Sequence, residues 1–318
     1  MRVLVTGGAG FIGSHLVEAL VARGDSVTVL DNVSTGNQDN LSAVKDKIQF
    51  VNGDVRDDAL IESLTEKTDL IFHMAAALGV NTILDSTLES ISTNIVGSKV
   101  VLSSAAKYKK RILIASTSEI YGKNPKQPLS ELDDRVIGAP HKIRWSYSDA
   151  KAIEEAIATT LFQRQALPVT TVRLFNTVGP RQSGSYGMVL PRLVEMALKD
   201  EPLTVYGDGT QTRVFCHVSD AIRGLLALTD SQKTIGDVFN LGGMGEISIK
   251  ELANKVIAAT GSKSEIKVVD YKNAYPTGFE DMARRVPDIS KIKSVIDWQP
   301  QHDIDSIIAD VVAYFKSN

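Results

Sequence analysis

The chain has 318 residues, long enough to bury most of the surface its unfolded form exposes, as one large domain or two moderate ones. Its 35 basic and 38 acidic residues leave a net charge of −3, which offers no non-specific attraction to a polyanion and argues against nucleic acid and membrane surfaces as partners. A single cysteine, Cys216, excludes an internal disulfide framework, and the five histidines fall at no metal-ligand spacing such as His-Glu-x-x-His, so a metal-free protein of a reducing compartment is expected.

The first expected strand, Val3 to Val5, comes straight after Met1-Arg2, with no long apolar core or small-residue cleavage site of a signal peptide. No later stretch approaches the roughly 20 unbroken apolar residues of a membrane helix, and a cytoplasmic location is the expectation. Thr6-Gly7-Gly8-Ala9-Gly10-Phe11-Ile12-Gly13 follows that strand and leads into the helical run His15-Leu16-Val17-Glu18-Ala19-Leu20. Gly8, Gly10 and Gly13 form G-x-G-x-x-G, and Gly7 with the last two forms the wider G-x-x-G-x-x-G. Such glycines permit a tight turn, let backbone amides approach a pyrophosphate and allow close helix-on-strand packing, with the helix N-terminus facing the anion. Strand, turn and helix arrive in register, which points to dinucleotide binding through this segment, Phe11 and Ile12 included.

The second strand, Ser26 to Leu30, ends at Asp31-Asn32, 18 residues beyond Gly13. A carboxylate there can accept hydrogen bonds from an adenosine ribose and would repel a 2′-phosphate, so NAD is favoured over NADP; the alternative is a helix or turn cap. After the strand Ile48 to Val51, Gly53-Asp54-Val55 places Asp54 either near the adenine or in a plain turn. Leu70 to Phe72, Arg111 to Ala115 and Val169 to Leu174 complete a series of short β-rich runs, each followed by a longer helical or mixed stretch. That rhythm implies an α/β fold, a Rossmann-type doubly wound parallel sheet.

The expected division is a Rossmann domain over 1–175 and a smaller C-terminal substrate-binding lobe over 176–318, where Gly and Pro accumulate in Val178-Gly179-Pro180-Arg181-Gln182 and Val205-Tyr206-Gly207-Asp208-Gly209. Residues from about 215 to 241 read as helix then strand, so the chain is expected to return there to the first domain. No internal repeat or low-complexity tract interrupts the pattern.

Tyr147-Ser148-Asp149-Ala150-Lys151 opens a further helical run, and positions i and i+4 share a helix face, so phenol and ammonium point the same way. A nearby cation stabilises phenolate and lowers the pKa of the tyrosine, turning a weak acid into a usable base. Taken alone, Tyr-x-x-x-Lys is often just a solvated helix face. Behind a dinucleotide turn, and after Ser116-Thr117-Ser118-Glu119 at an earlier strand end, it gains force.

From about Arg2 to Trp298 the chain resembles the extended short-chain dehydrogenase/reductase family of nucleotide-sugar epimerases, dehydratases and decarboxylases. The resemblance rests on the glycine segment, His73-Met74-Ala75-Ala76, Thr117-Ser118-Glu119-Ile120-Tyr121-Gly122, the Tyr147/Lys151 pair, Arg173-Leu174-Phe175-Asn176 and Tyr206-Gly207-Asp208-Gly209. It implies a tightly held NAD, lined in part by Ala75 and Val55, that is reduced and reoxidised within each turnover. It further implies that Tyr147 takes the C4 hydroxyl proton of a UDP-sugar and that Lys151 holds the ribose and depresses the tyrosine pKa. The homodimer common in the family would pair the run from about Leu88 to Lys107 with the one beginning at Tyr147.

Three fates of the resulting 4-keto sugar are implied. Dehydratases carry an Asp-Glu pair after the Thr, and here the second position is Ser118, which disfavours dehydration. Thr117-Ser118-Glu119 is similar to the UDP-glucuronate decarboxylases, as are Leu203 to Arg213 and Arg284-Arg285-Val286-Pro287-Asp288, in which Arg285 would meet the uronate carboxylate or act as an acid near it. Lys142 and Arg144-Trp145-Ser146-Tyr147 also resemble UDP-apiose/xylose synthases and 4-keto-pentose-forming decarboxylases, whereas Ala77-Leu78-Gly79-Val80 matches none of these closely. Uronate decarboxylation is the leading reading and 4-epimerisation the alternative, with a non-catalytic NAD-binding regulator more remote because both Tyr147 and Lys151 are present. Arg181 and Arg213 suit a substrate pyrophosphate or a surface ion pair, and Asn176 a substrate hydrogen bond or a strand end. Cys216, in the apolar run Val214-Phe215-Cys216, reads as a small buried residue, and His217 as structural.

Overall fold

Short runs rich in Val, Ile and Leu cannot expose either face to water, and the chain buries them as the centre of a layered structure. In the computed structural model, which describes residues 1–77, 87–184, 187–274 and 280–317, seven strands form one parallel sheet. They are β1 (Arg2–Thr6), β2 (Ser26–Asp31), β3 (Ile48–Asn52), β4 (Leu70–His73), β5 (Arg111–Thr117), β6 (Val169–Leu174) and β11 (Val238–Leu241), in the order β11-β6-β5-β4-β1-β2-β3. The direction of winding reverses between β1 and β4, and a crevice opens at the carboxyl ends of the strands on either side of such a switch point.

Alternate residues along each strand go to opposite faces. Val3 and Val5 join Leu16, Val17 and Leu20 of α1 (Phe11–Ala22) on one face, and Leu4 joins Ile61 of α2 (Asp58–Glu66) on the other. The second face is completed by α4 (Ser98–Lys107) and by Ala158 of α5 (Ser146–Gln165). A short helix α3 (Thr87–Ser92) and a π-helical turn, Thr93–Gly97, lead into α4. The residues Leu78 to Val80, singled out by their poor match to the decarboxylases, lie outside the described residues.

Beyond β6 the chain builds a second core. It comprises α6 (Val189–Leu198), β8 (Leu203–Tyr206), α8 (Ile249–Thr260) and a long C-terminal helix, Ile304–Ser317, whose Leu193, Val194, Val205, Leu252, Val256 and Val311 are buried together. Each such side chain contributes about 1.5–3 kcal/mol on leaving water. Between α6 and α8, the helix α7 (Val218–Asp230) packs back on the first face of the large sheet, and β11 pairs in parallel with β6, Val238 opposite Thr171. Two short pairings matter for the site. β7 (Thr177–Val178) runs beside β10 (Cys216–His217), and β9 (Thr212–Val214) is flanked by β12 (Glu246–Ser248) and β14 (Arg284–Arg285). The second of these places Arg285 opposite Arg213.

Candidate active site

A cavity of about 890 Å3 lies over the carboxyl ends of β1, β4 and β5 and extends into the second core. Its floor begins at the glycine turn. Gly7 has φ +71°, and a Cβ there would land 2.6 Å from the Ala75 amide nitrogen; a Cβ on Gly13 would land 2.1 Å from the Gly7 carbonyl oxygen. Both positions demand glycine for packing, whereas Gly10 is crowded only at 3.2 Å and leaves bare backbone at the cavity. Asp31, at the end of β2, accepts from the Ala9 amide at 2.9 Å and from the Val33 amide at 2.8 Å, which fixes its carboxylate at the cavity wall.

Gly7, Gly10, Phe11, Ile12, Gly13, Asp31, Asn32, Val55 and Ala75 all line this part of the cavity. Gly8 does not: a Cβ there would meet Val29 Cγ1 at 2.7 Å, so it serves the packing of α1 on β2. Asp54 stands between two lining residues, Gly53 and Val55; Arg56 holds its carboxylate at 2.7 Å and, chiefly through that hydrogen bond, lowers it to about 2, while Asn32 of the lining donates to it at 3.3 Å.

The opposite wall is built from charged side chains. Thr117 ends β5 and accepts from the Glu119 amide at 3.2 Å, opening a single turn that aims Glu119 into the cavity. Arg144 grips Glu119 with two bonds of 2.7 and 3.0 Å, and Arg285 approaches the same carboxylate at 3.4 Å. Burial alone would raise the Glu119 carboxyl, but these two guanidinium groups hold it down at about 2. Arg285 also donates to Asn176 Oδ1, and burial together with Arg213 pulls its guanidinium down to about 10. Arg213 in turn pairs with Asp281 at 3.1 Å. Arg181 also lines the cavity and reaches back to Glu18 on α1 at 2.6 Å. Thr117, Ser118, Glu119, Tyr147, Asn176, Arg181, Arg213 and Arg285 thus face one space.

Lys151 is the exception. Its side chain is 1% exposed and absent from the lining, and its ammonium donates to the Ala115 carbonyl at 2.8 Å and to Glu154 at 2.7 Å. Burial first, then Glu119 and Glu154, push the Tyr147 phenol above its ordinary value, in contrast to the lowering expected from the i, i+4 pair, and the Lys151 ammonium is met here by Glu154.

Sequence reasoning missed Glu154, although it stands three residues after Lys151 on the same helix, and treated Arg144 only as part of a resembling stretch, because its partner Glu119 lies 25 residues away. Outside the cavity, Cys216 is buried, and burial with nearby Asp220 raises its thiol well above the ordinary value, as an inert core residue requires. His217 accepts from the Ser219 amide and caps α7. It comes together with His302 and Asp310, the group among the described residues that could hold a metal. The cap uses Nδ1 as acceptor, which leaves the proton on Nε2, 3.4 Å from Asp310. No helix among the described residues is long and apolar enough to cross a membrane.

With this geometry in view, comparison with known proteins is informative. The family described as GDP-mannose 4,6 dehydratase matches residues 4–311. The UDP-N-acetyl-alpha-D-glucosaminuronate decarboxylase of Bacillus cytotoxicus is 42% identical over 316 residues, 99% of this chain and 98% of that protein. UDP-glucuronic acid decarboxylase 1 of Xenopus tropicalis is 34% identical over 319 residues, 99% of this chain and 72% of that protein. The structure of UDP-glucuronic acid 4-epimerase from Bacillus cereus, in complex with UDP-glucuronic acid and NAD, superposes with a TM-score of 0.89 at 27% identity, covering 100% of this chain and 99% of that one.

Proposed function

The chain belongs to the family described as GDP-mannose 4,6 dehydratase, and from that membership we propose that it is an NAD-dependent enzyme that decarboxylates a UDP-hexuronate through a 4-keto intermediate. The observation that carries this reading is the Arg144–Glu119–Arg285 cluster beside Tyr147, which offers fixed, buried guanidinium groups where a sugar carboxylate would have to be met. The residues of the first wall fit the cofactor: bare backbone at Gly10, a tight turn at Gly7 and a held carboxylate at Asp31 suit a pyrophosphate and an adenosine ribose. We assign residues 1–175, with the return at about 215–241, to cofactor binding, and 176–318 to the substrate.

Bound there, NAD supplies a hydride acceptor and, later, a hydride donor. As the phenolate, Tyr147 takes the C4 hydroxyl proton as that carbon is oxidised, with Thr117 and Ser118 beside it to orient the oxygen. Arg285 holds the C6 carboxylate, which is β to the new ketone. The C5–C6 bond breaks, carbon dioxide leaves, and the electron pair passes into the C4 carbonyl as an enolate. A proton from water then adds at C5, and Tyr147 returns its proton to the C4 oxygen as the ketone is reduced. Asn176, Arg181 and Arg213 hold the remainder of the nucleotide-sugar.

Incubation with NAD and either UDP-glucuronate or UDP-N-acetylglucosaminuronate should give a product lighter by carbon dioxide, and Tyr147→Phe should lower turnover by about a hundredfold to ten-thousandfold. An isomer of unchanged mass would instead support the 4-epimerase reading, with which the likeness to the Bacillus cereus epimerase is consistent. Bound NAD with no turnover on any UDP-sugar would leave a non-catalytic regulator.

We also propose a homodimer. Leu88, Val96 and Ile153 are 84%, 44% and 44% exposed on the helical runs expected to pair, and a second copy would cover them. Light scattering at micromolar concentration should read twice 34.4 kDa, and a particle of 34.4 kDa would refute it.

A further inference from the structure

Tyr147, Lys151 and Glu154 stand at i, i+4 and i+7 of one helix, on one face. The last is the unexplained member. Its side chain is 0% exposed, it receives the Lys151 ammonium at 2.7 Å, and the neutral Ser98 hydroxyl is its other hydrogen-bonding neighbour. A buried carboxylate so placed depends on its one cation, since removing either member of a buried pair strands a charge. Lys151 is therefore held more firmly by Glu154 than by its neutral partner, the Ala115 carbonyl. A ribose hydroxyl, also neutral, would compete with the carbonyl and not with the carboxylate.

The electrostatic consequence concerns the phenol. An isolated ammonium would favour phenolate, but an ammonium 2.7 Å from a carboxylate presents a dipole, whose field falls away faster than that of a charge. The other groups facing this spot do not restore the missing charge. From the end of β5 comes Glu119, paired to Arg144 and Arg285. On α5 itself, Glu155 is turned to Arg173 and to the Ser116 hydroxyl. From β4 comes His73, which burial and Lys151 push down to about 3, so that it is neutral; its Nδ1 meets Thr6 and its Nε2 meets Ser98 of α4, the residue beside Glu154.

We propose that Glu154 is a positioning residue that anchors Lys151 and offsets its charge behind Tyr147, so that Tyr147 keeps its proton until the site is filled. The proposal rests on the reading of Tyr147 and Lys151 as the acid/base pair.

Glu154→Gln keeps the shape and removes the charge. The acidic limb of the pH profile of kcat/KM, which reports the free enzyme, should then move to lower pH by at least about tenfold in proton concentration. Glu154→Asp keeps the charge, so its limb should stay at the wild-type position even where kcat falls. Differential scanning calorimetry adds a readout of the anchor: Lys151→Met should lose more stability than Lys151→Met/Glu154→Leu, in which no charge is stranded. Tyrosinate absorbance of the unliganded protein, referenced to Tyr147→Phe in each background, follows the phenol without turnover and so separates this inference from the reaction assigned above. An unmoved limb in Glu154→Gln, equal limbs in Gln and Asp, or a double variant no more stable than Lys151→Met would overturn the proposal.

Discussion

The two walls of the cavity are made in different ways. The wall at the carboxyl end of β1 is backbone: a turn of consecutive residues whose function depends on what glycine lacks, with one carboxylate held by two amides. The facing wall is side chain: Glu119, Arg144, Asn176, Arg213 and Arg285, drawn from positions up to 166 residues apart and held by one another's charges. A backbone site is rigid and tolerates little crowding, whereas a charged site can be altered without unfolding the chain but responds to pH and to the loss of any one partner.

That contrast can be broken first at Gly13. Gly13→Ala drives a methyl to 2.1 Å from the Gly7 carbonyl, and the variant should lose more than about 3 kcal/mol of stability by denaturant titration. Gly10→Ala, crowded only at 3.2 Å, should fold normally while losing NAD affinity by calorimetry. Equal stability of the two would show that packing is not what Gly13 serves. Next comes the charged wall. Arg285→Ala should lower kcat/KM for a UDP-hexuronate by at least about a hundredfold, on the order of 3 kcal/mol, with NAD binding intact, and Arg285→Lys should recover only part because a point charge cannot replace the fork. Full activity of the Ala variant would remove Arg285 from the substrate site.

Asp31→Ala should narrow the gap between NAD and NADP affinity by roughly 1–3 kcal/mol, the scale of a charged hydrogen bond, and equal affinities in the wild type would contradict its assigned role. The smallest effect is on stability against pH. Glu119 is held at about 2, below its ordinary 4.5, so its contribution is present above about pH 4.5 and is lost as pH falls towards 2. Glu119→Gln should flatten that part of the stability curve; an unchanged slope would mean the cluster is not paired in solution.

The same contrast explains what could be read before any coordinates. The glycine turn and the i, i+4 pair of Tyr147 and Lys151 are local, so the strand, turn and helix around them and the parallel sheet were legible, as was the return of the chain through Val238–Leu241. Arg285 and Glu119 could be named only by resemblance, and their meeting through Arg144 was not legible, because it depends on β14 pairing with β9 and on a single turn after β5. Asp54 is held in a turn by Arg56, two residues on, and also bonded by Asn32 of the cavity lining, so its turn and adenine readings share one local arrangement. Glu154 was invisible because nothing in Glu154-Glu155 tells which carboxylate faces Lys151 and which Arg173.

The most direct test of the account is the reaction of the wild-type protein with NAD and a UDP-hexuronate in deuterium oxide, followed by mass and proton spectra of the sugar. Decarboxylation through a 4-keto intermediate predicts a UDP-pentose or its 4-keto form carrying deuterium at the carbon that held the carboxylate, formed at least about a hundredfold more slowly in Tyr147→Phe. A hexuronate of unchanged carbon count, inverted at C4 and free of deuterium at C5, would contradict it.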